Sequence, residues 1–147
     1  MDVLCRRCNG FLRELVNPAA EKFFAELTST SDDSRKHLLI AALQNLYSPK
    51  VTELLKPMAY GEVSGVSDNL QKKAIRAALI GTYYTETTKD FLLPIFLNMR
   101  NGHESRIQAV EGIMMMMEVD VTTLSTIMTQ MYVEPDYEVN IWRFLKY

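Results

Sequence analysis

Few residues in this chain of 147 have the type and spacing to do chemistry. Cys5-x-x-Cys8 sets two thiols at a spacing used by zinc sites and dithiol redox centres. Zinc needs four ligands, and His37 and His103 stand at no ligand-like distance from that pair. A redox dithiol needs a strand before it and a βαβ setting, and neither is legible. The pair reads as two ordinary cysteines, with a disulfide as the first alternative and metal or redox chemistry as the last. The chain has no Gly-rich phosphate loop and no His-Glu-x-x-His. The expectation is no catalytic residue, no cofactor and no metal ligand, and hence no enzyme.

Binding candidates remain. Ile113-Met114-Met115-Met116-Met117 is followed by Met128 and Met131 on a later segment. Thioethers adapt to acyl chains and to varied partners, although they fill irregular core gaps just as well. Four methionines in a row cover more than one helix face, so Met114 and Met115 are candidate lipid or partner contacts. In Tyr83-Tyr84 the first falls on the core register and the second just off it, which makes Tyr84 a further candidate. Trp142 could anchor a partner or fill a core. Lys72-Lys73 with Arg76, and Arg35-Lys36, read as solvated basic turns, with a receptor or phosphate site as the alternative.

The elements that must position these residues are helices. Asn17-Pro18 reads as a cap and first residue, opening a helix to about Leu27. After the polar run Thr28 to Asp33, Leu39, Ala42, Leu43, Leu46 and Tyr47 fall on one helical face. Ser48-Pro49 caps the next helix, with Val51, Leu54, Leu55, Met58 and Ala59 on its face and a kink or early end expected at Pro57. Ser67 or Asp68 can cap a third. Ile75, Ala78, Leu79 and Tyr83 stand 36 residues after Leu39, Ala42, Leu43 and Tyr47. Thr87-x-x-Asp90 resembles a capping box before Phe91, Leu92, Ile95, Phe96 and Met99, with Pro94 inside. From Arg106, Ala109, Gly112, Ile113, Met116 and Met117 renew the first pattern. Asp120 can cap a last partner helix in which Leu124, Ile127, Met128 and Met131 answer Leu92, Ile95, Phe96 and Met99.

Two helices per unit at this period mark an all-α solenoid, a right-handed, two-layered superhelix. Units run over about 31–68, 69–102 and 103–135, with another starting at 136, all in one helical domain. A small residue recurs in each first helix, Ala42, Ala78 and Gly112, where neighbouring helices can approach closely. The chain stops within a unit offering Ile141, Trp142, Phe144 and Leu145, which reads as truncation of a longer chain.

Charge narrows the partners. With 48% hydrophobic residues, 23% charged and a formal net charge of -2, the chain is ordinary globular material. It lacks the clustered Lys and Arg of a nucleic-acid footprint and any run long enough to span a membrane. Met1-Asp2-Val3-Leu4-Cys5-Arg6-Arg7 is no secretory signal, and no Asn-x-Ser/Thr glycosylation site occurs.

The pattern resembles the helical domain of the large lipid transfer proteins: vitellogenin, apolipophorin, apolipoprotein B and the microsomal triglyceride transfer protein. Three features carry this over about residues 30–147. Basic residues lead into a small-apolar core in Gln71-Lys72-Lys73-Ala74-Ile75-Arg76-Ala77-Ala78-Leu79. Leu54 to Pro57 and Leu92 to Pro94 form Leu-Leu-x-Pro and Leu-Leu-Pro partner helices. Pro135-Asp136-Tyr137-Glu138-Val139-Asn140-Ile141-Trp142, preceded by Glu104-Ser105-Arg106-Ile107-Gln108-Ala109, is similar to late helices of that domain. The resemblance implies a secreted parent protein, a helical arch around lipid-binding sheets, and cargo of phospholipid and neutral lipid. The family's β-sheet regions, which line most of the lipid cavity, are missing here, so this piece would support carriage without forming the cavity. Its partners would be lipid through the parent, the rest of the parent chain on the C-terminal end, and a receptor or a second copy. The competing readings are an intracellular HEAT-like protein–protein scaffold and, behind it, an enzyme or enzyme accessory with a helical fold.

Overall fold

The computed structural model describes residues 2–80, 86–116, 118–135 and 139, with side chains from residue 14 onward apart from 80, 86 and 87. Over them run seven α-helices and no strand: α1 Asp2–Ser29, α2 Asp33–Gln44, α3 Pro49–Ala59, α4 Asp68–Ile80, α5 Glu86–Leu97, α6 His103–Met114 and α7 Val121–Tyr132. α2, α4 and α6 pack side by side in a row. The closest helix pairs are α3 with α4 and α5 with α6. The tightest interfaces therefore join the partner helix of one repeat to the first helix of the next, the stacking on which a solenoid depends.

α1 is longer than the sequence signals suggest. Pro18 lies inside it rather than at its start. An interior proline lacks its N–H and crowds the preceding turn, costing about 3 kcal/mol. Beyond it, α1 buries Ala20 and Leu27, with Phe23 and Phe24 packed on the core, and this burial offsets the loss. Asn17 does not cap; its Oδ1 accepts from Ser48 Oγ at 3.2 Å.

Caps set most other starts. Asp32 Oδ1 accepts from the Ser34 N–H at 2.9 Å, opening α2. Ser48 Oγ accepts from Lys50 N–H before Pro49 at the head of α3. Because Ser48 must be extended ahead of the proline, the chain turns before it. Tyr47 takes φ +47 beyond the end of α2 and is 59% exposed, off the core face where helical spacing placed it. Pro57 neither breaks nor shortens α3, which continues to Ala59. The helix closes with Gly61 N–H on the Met58 carbonyl and Glu62 N–H on the Pro57 carbonyl. This paired closure needs a left-handed residue, and Gly61 supplies φ +73. Thr87, expected as a cap, lies inside α5, which is described from Glu86.

The core is a leucine and alanine seam through these interfaces. Leu43, Leu55, Ala74, Ile75, Ala78, Leu92, Phe96, Ala109 and Ile113 are fully buried. Gly112 is where closeness matters most. A Cβ there would meet Leu92 Cδ1 at 2.6 Å and Leu79 Cδ1 at 3.2 Å. Two methionines depart from the expected face. Met99 falls beyond the end of α5 and is 47% exposed. Met128 is 67% exposed, because Thr123, Ile127 and Met131 form the buried row of α7 and Met128 stands one helical step off it.

Candidate functional site

Glu104-Ser105-Arg106 opens α6, and each of its side chains bonds to a different part of the chain. Glu104 accepts from Lys72 Nζ at 2.6 Å. Ser105 Oγ donates to the backbone carbonyl and side chain of Asp68. Asp68 is the real cap of α6: its Oδ2 accepts from Glu104 N–H at 3.0 Å and its Oδ1 from Ser105 N–H at 3.1 Å. Gly102, at the N-cap position, makes no side-chain bond. Sequence spacing put Asp68 at the start of its own helix. There Ser67 Oγ takes the Leu70 N–H instead, which frees the Asp68 carboxylate to reach the next repeat.

Arg106 is the largest fully buried side chain among the described residues. Its Nε donates to the Phe96 carbonyl at 3.0 Å, and its two terminal nitrogens hold both oxygens of Glu134 in a bidentate pair. The guanidinium also lies 5.6 Å from the Phe96 ring centroid. Gln71 occupies the matching position one repeat earlier. Its Nε2 donates to the Ala59 carbonyl and to Asn101 Oδ1, each at 3.0 Å. A buried polar rung thus recurs: the first turn of one helix ties the closing carbonyl of the partner helix before it and a side chain beyond the partner helix after it. Buried polar groups demand this satisfaction. Neither rung was anticipated from helical periodicity, because Gln71, Asn101 and Glu134 look like surface residues. The only signal was an arginine at the start of an apolar row.

On the α2, α4 and α6 row lies a half-open cavity of about 580 Å³. Its walls include His37, Ile40, Lys73, Arg76, Leu79, Gln108, Glu111 and Met115. The basic turns are split by the fold. Arg35 pairs with Glu26, Lys36 with Asp33, and Lys72 with Glu104. Lys73 and Arg76 instead face the cavity, with no ion pair among the described residues. Gln108 is 7% exposed and its Oε1 has no hydrogen-bond donor; His37 Nδ1 is likewise buried and unpaired. A smaller recess of about 390 Å³ lies between the ends of α3 and α5, beside Tyr60. Burial, then the carboxylates of Glu62 and Asp90, push the Tyr60 phenol up.

Of the candidate contacts, Met115 is 67% exposed and lines the larger cavity, and Met114 is 39% exposed. Tyr83, Tyr84, Met117, Trp142 and the cysteine side chains lie outside the described residues. Among the described residues no group of three His, Cys, Asp or Glu could hold a metal ion, and no helix is long and apolar enough to cross a membrane.

Residues 4–142 match the family model of the vitellogenin TPR domain. The chain belongs to that family. The match reaches back through α1, so the N-terminal segment is part of the vitellogenin TPR domain and not an appendage to it. No curated protein and no solved structure matches the chain. Vitellogenin places it among the large lipid transfer proteins, as the helical part of a lipid-transport family.

Proposed function

We propose that this chain is a non-catalytic helical support in a secreted lipid carrier or yolk-storage protein, bracing a lipid cavity built elsewhere in the parent. The observation that carries the reading is the family match over residues 4–142. The buried rungs Gln71–Asn101 and Arg106–Glu134 agree with it. Gln71 and Arg106 also donate to the Ala59 and Phe96 carbonyls of the preceding partner helices, so each rung ties its unit to the one before, which suits a brace that holds its curvature while cargo volume changes. In this reading the solenoid is right-handed and the parent carries phospholipid and neutral lipid. Tyr84, Met114, Met115 and Trp142 meet lipid, a receptor, a second copy or the rest of the parent.

The test is the parent's size and location. An antibody raised to this chain should detect a band of hundreds of kilodaltons in secreted fluid, in lipid-rich density fractions. A cell-confined band near the 16.9 kDa of this chain would overturn the reading in favour of an intracellular HEAT-like interaction scaffold.

A further inference from the structure

We propose that the cavity on the α2, α4 and α6 row is a ligand site for a phosphate ester with a hydroxylated body. This does not depend on the parent being a lipid carrier. The volume, about 580 Å³, is within the range of small-molecule sites. Three observations set the chemistry.

The first is charge. Lys73 and Arg76 are one helical turn apart on α4, face the cavity, and have no ion pair among the described residues. Glu111 shares the lining and has interactions of its own. Two cations against one carboxylate leave the lining one positive charge in excess, enough to favour an anion. A guanidinium beside an ammonium suits phosphate oxygens, the first by its planar fork and the second as a point charge.

The second is the pair of orphaned polar atoms. Gln108 is more than nine-tenths buried and its Oε1 is without a donor. His37 shares the lining, and its Nδ1 is also buried and unpaired. A buried acceptor left unsatisfied costs about 1–3 kcal/mol. A bare phosphate dianion has no donor to offer them. Hydroxyl groups on the body of the ester do, while the phosphate sits on Lys73 and Arg76.

The third is the remaining wall. Leu79 and Met115 give the site an apolar side, against which a carbon skeleton or the start of an acyl chain can lie. The shared chemistry is that of a polyol phosphate, either free in solution or as a lipid headgroup.

Titration calorimetry with sn-glycerol 3-phosphate, and flotation with phosphatidylcholine vesicles carrying phosphatidylinositol, test the site and separate the two sources. Saturable binding is expected in at least one arm. The Lys73→Gln, Arg76→Gln double variant, altered only at exposed positions, should weaken it at least tenfold. Lys50→Gln, outside the cavity, should leave it unchanged. Inorganic phosphate should bind at least tenfold more weakly than glycerol 3-phosphate. Binding to vesicles alone, lost in the double variant, assigns a lipid headgroup; binding of the free ester assigns a soluble ligand. No saturable binding in either arm, or binding indifferent to the double variant, overturns the proposal. Equal affinity for inorganic phosphate overturns the hydroxylated body.

Discussion

The carboxylate of Asp68 caps a helix of the following repeat because Gly102 has no side chain to keep it out. A Cβ at Gly102 would overlap the whole Asp68 carboxyl group. Gly102→Ala should therefore behave like loss of the cap, costing about 1–2 kcal/mol. Asp68→Ala should cost a similar amount, and the double variant little more than either alone, since both remove one interaction. Urea melts of the three proteins check this. Strict additivity would refute the coupling.

Arg106 and Glu134 are 2% and 0% exposed at their side chains. Removing one partner leaves the other charge buried without its bidentate counterpart, so Glu134→Leu or Arg106→Met should each destabilise by about 3–5 kcal/mol. The double apolar replacement should recover much of that loss. The same denaturation experiments decide it, provided the single variants still fold enough to show a transition.

Gly112→Ala tests close packing. The added methyl meets two leucine ends on different helices, so an overpacking cost of about 1–3 kcal/mol is expected. Ala78→Leu, inside the fully buried seam, should cost a comparable amount. A thermal melt unchanged by both would refute the repeat register.

Asp120 carries a pH prediction. A hydrogen bond from Lys89, then bonds from the Thr123 hydroxyl and backbone, hold its carboxyl well below the usual carboxylate range. The folded state thus binds this proton more weakly than the unfolded chain does. The stabilisation is complete above the unfolded value near 3.9 and is lost as pH falls below it. In Asp120→Asn the cap survives but cannot titrate. Below about pH 4 the original chain should lose stability more steeply than the variant. Circular dichroism melts across that window give the comparison.

Helix faces were legible in the sequence wherever burial alone decides position. Leu39, Leu43, Val51, Leu55, Ile75, Ala78, Leu92 and Ile113 follow a period of 3.6 and all are buried. Tyr47, Met99 and Met128 broke the expectation because a hydrophobic pattern does not announce where a helix stops, or which side of it finds a neighbour. Pro18 misled for a related reason: its starting role is only a preference, and tertiary burial of Leu27 and its neighbours outweighed it. The rungs and the cavity were not legible. The rungs bring together residues nearly a repeat apart and the cavity residues up to two repeats apart, and no local spacing reports that Gln71 will meet Asn101 or that Gln108 will share a cavity with His37.

The two rungs are built alike but are not interchangeable. One closes with an amide on an amide, Gln71 on Asn101; the other closes with a cation on an anion, Arg106 on Glu134. Each pair lies within one unit, so exchanging only the closing segments of the two units would set Arg106 against a neutral Asn101 and Glu134 against a neutral Gln71, and neither buried charge would keep this counterion. Leucine seams would accept either neighbour almost equally. These polar contacts therefore act as an address within each unit: they specify which closing segment belongs with which first helix, and they make that pairing a thermodynamic property of the folded chain as well as a covalent one.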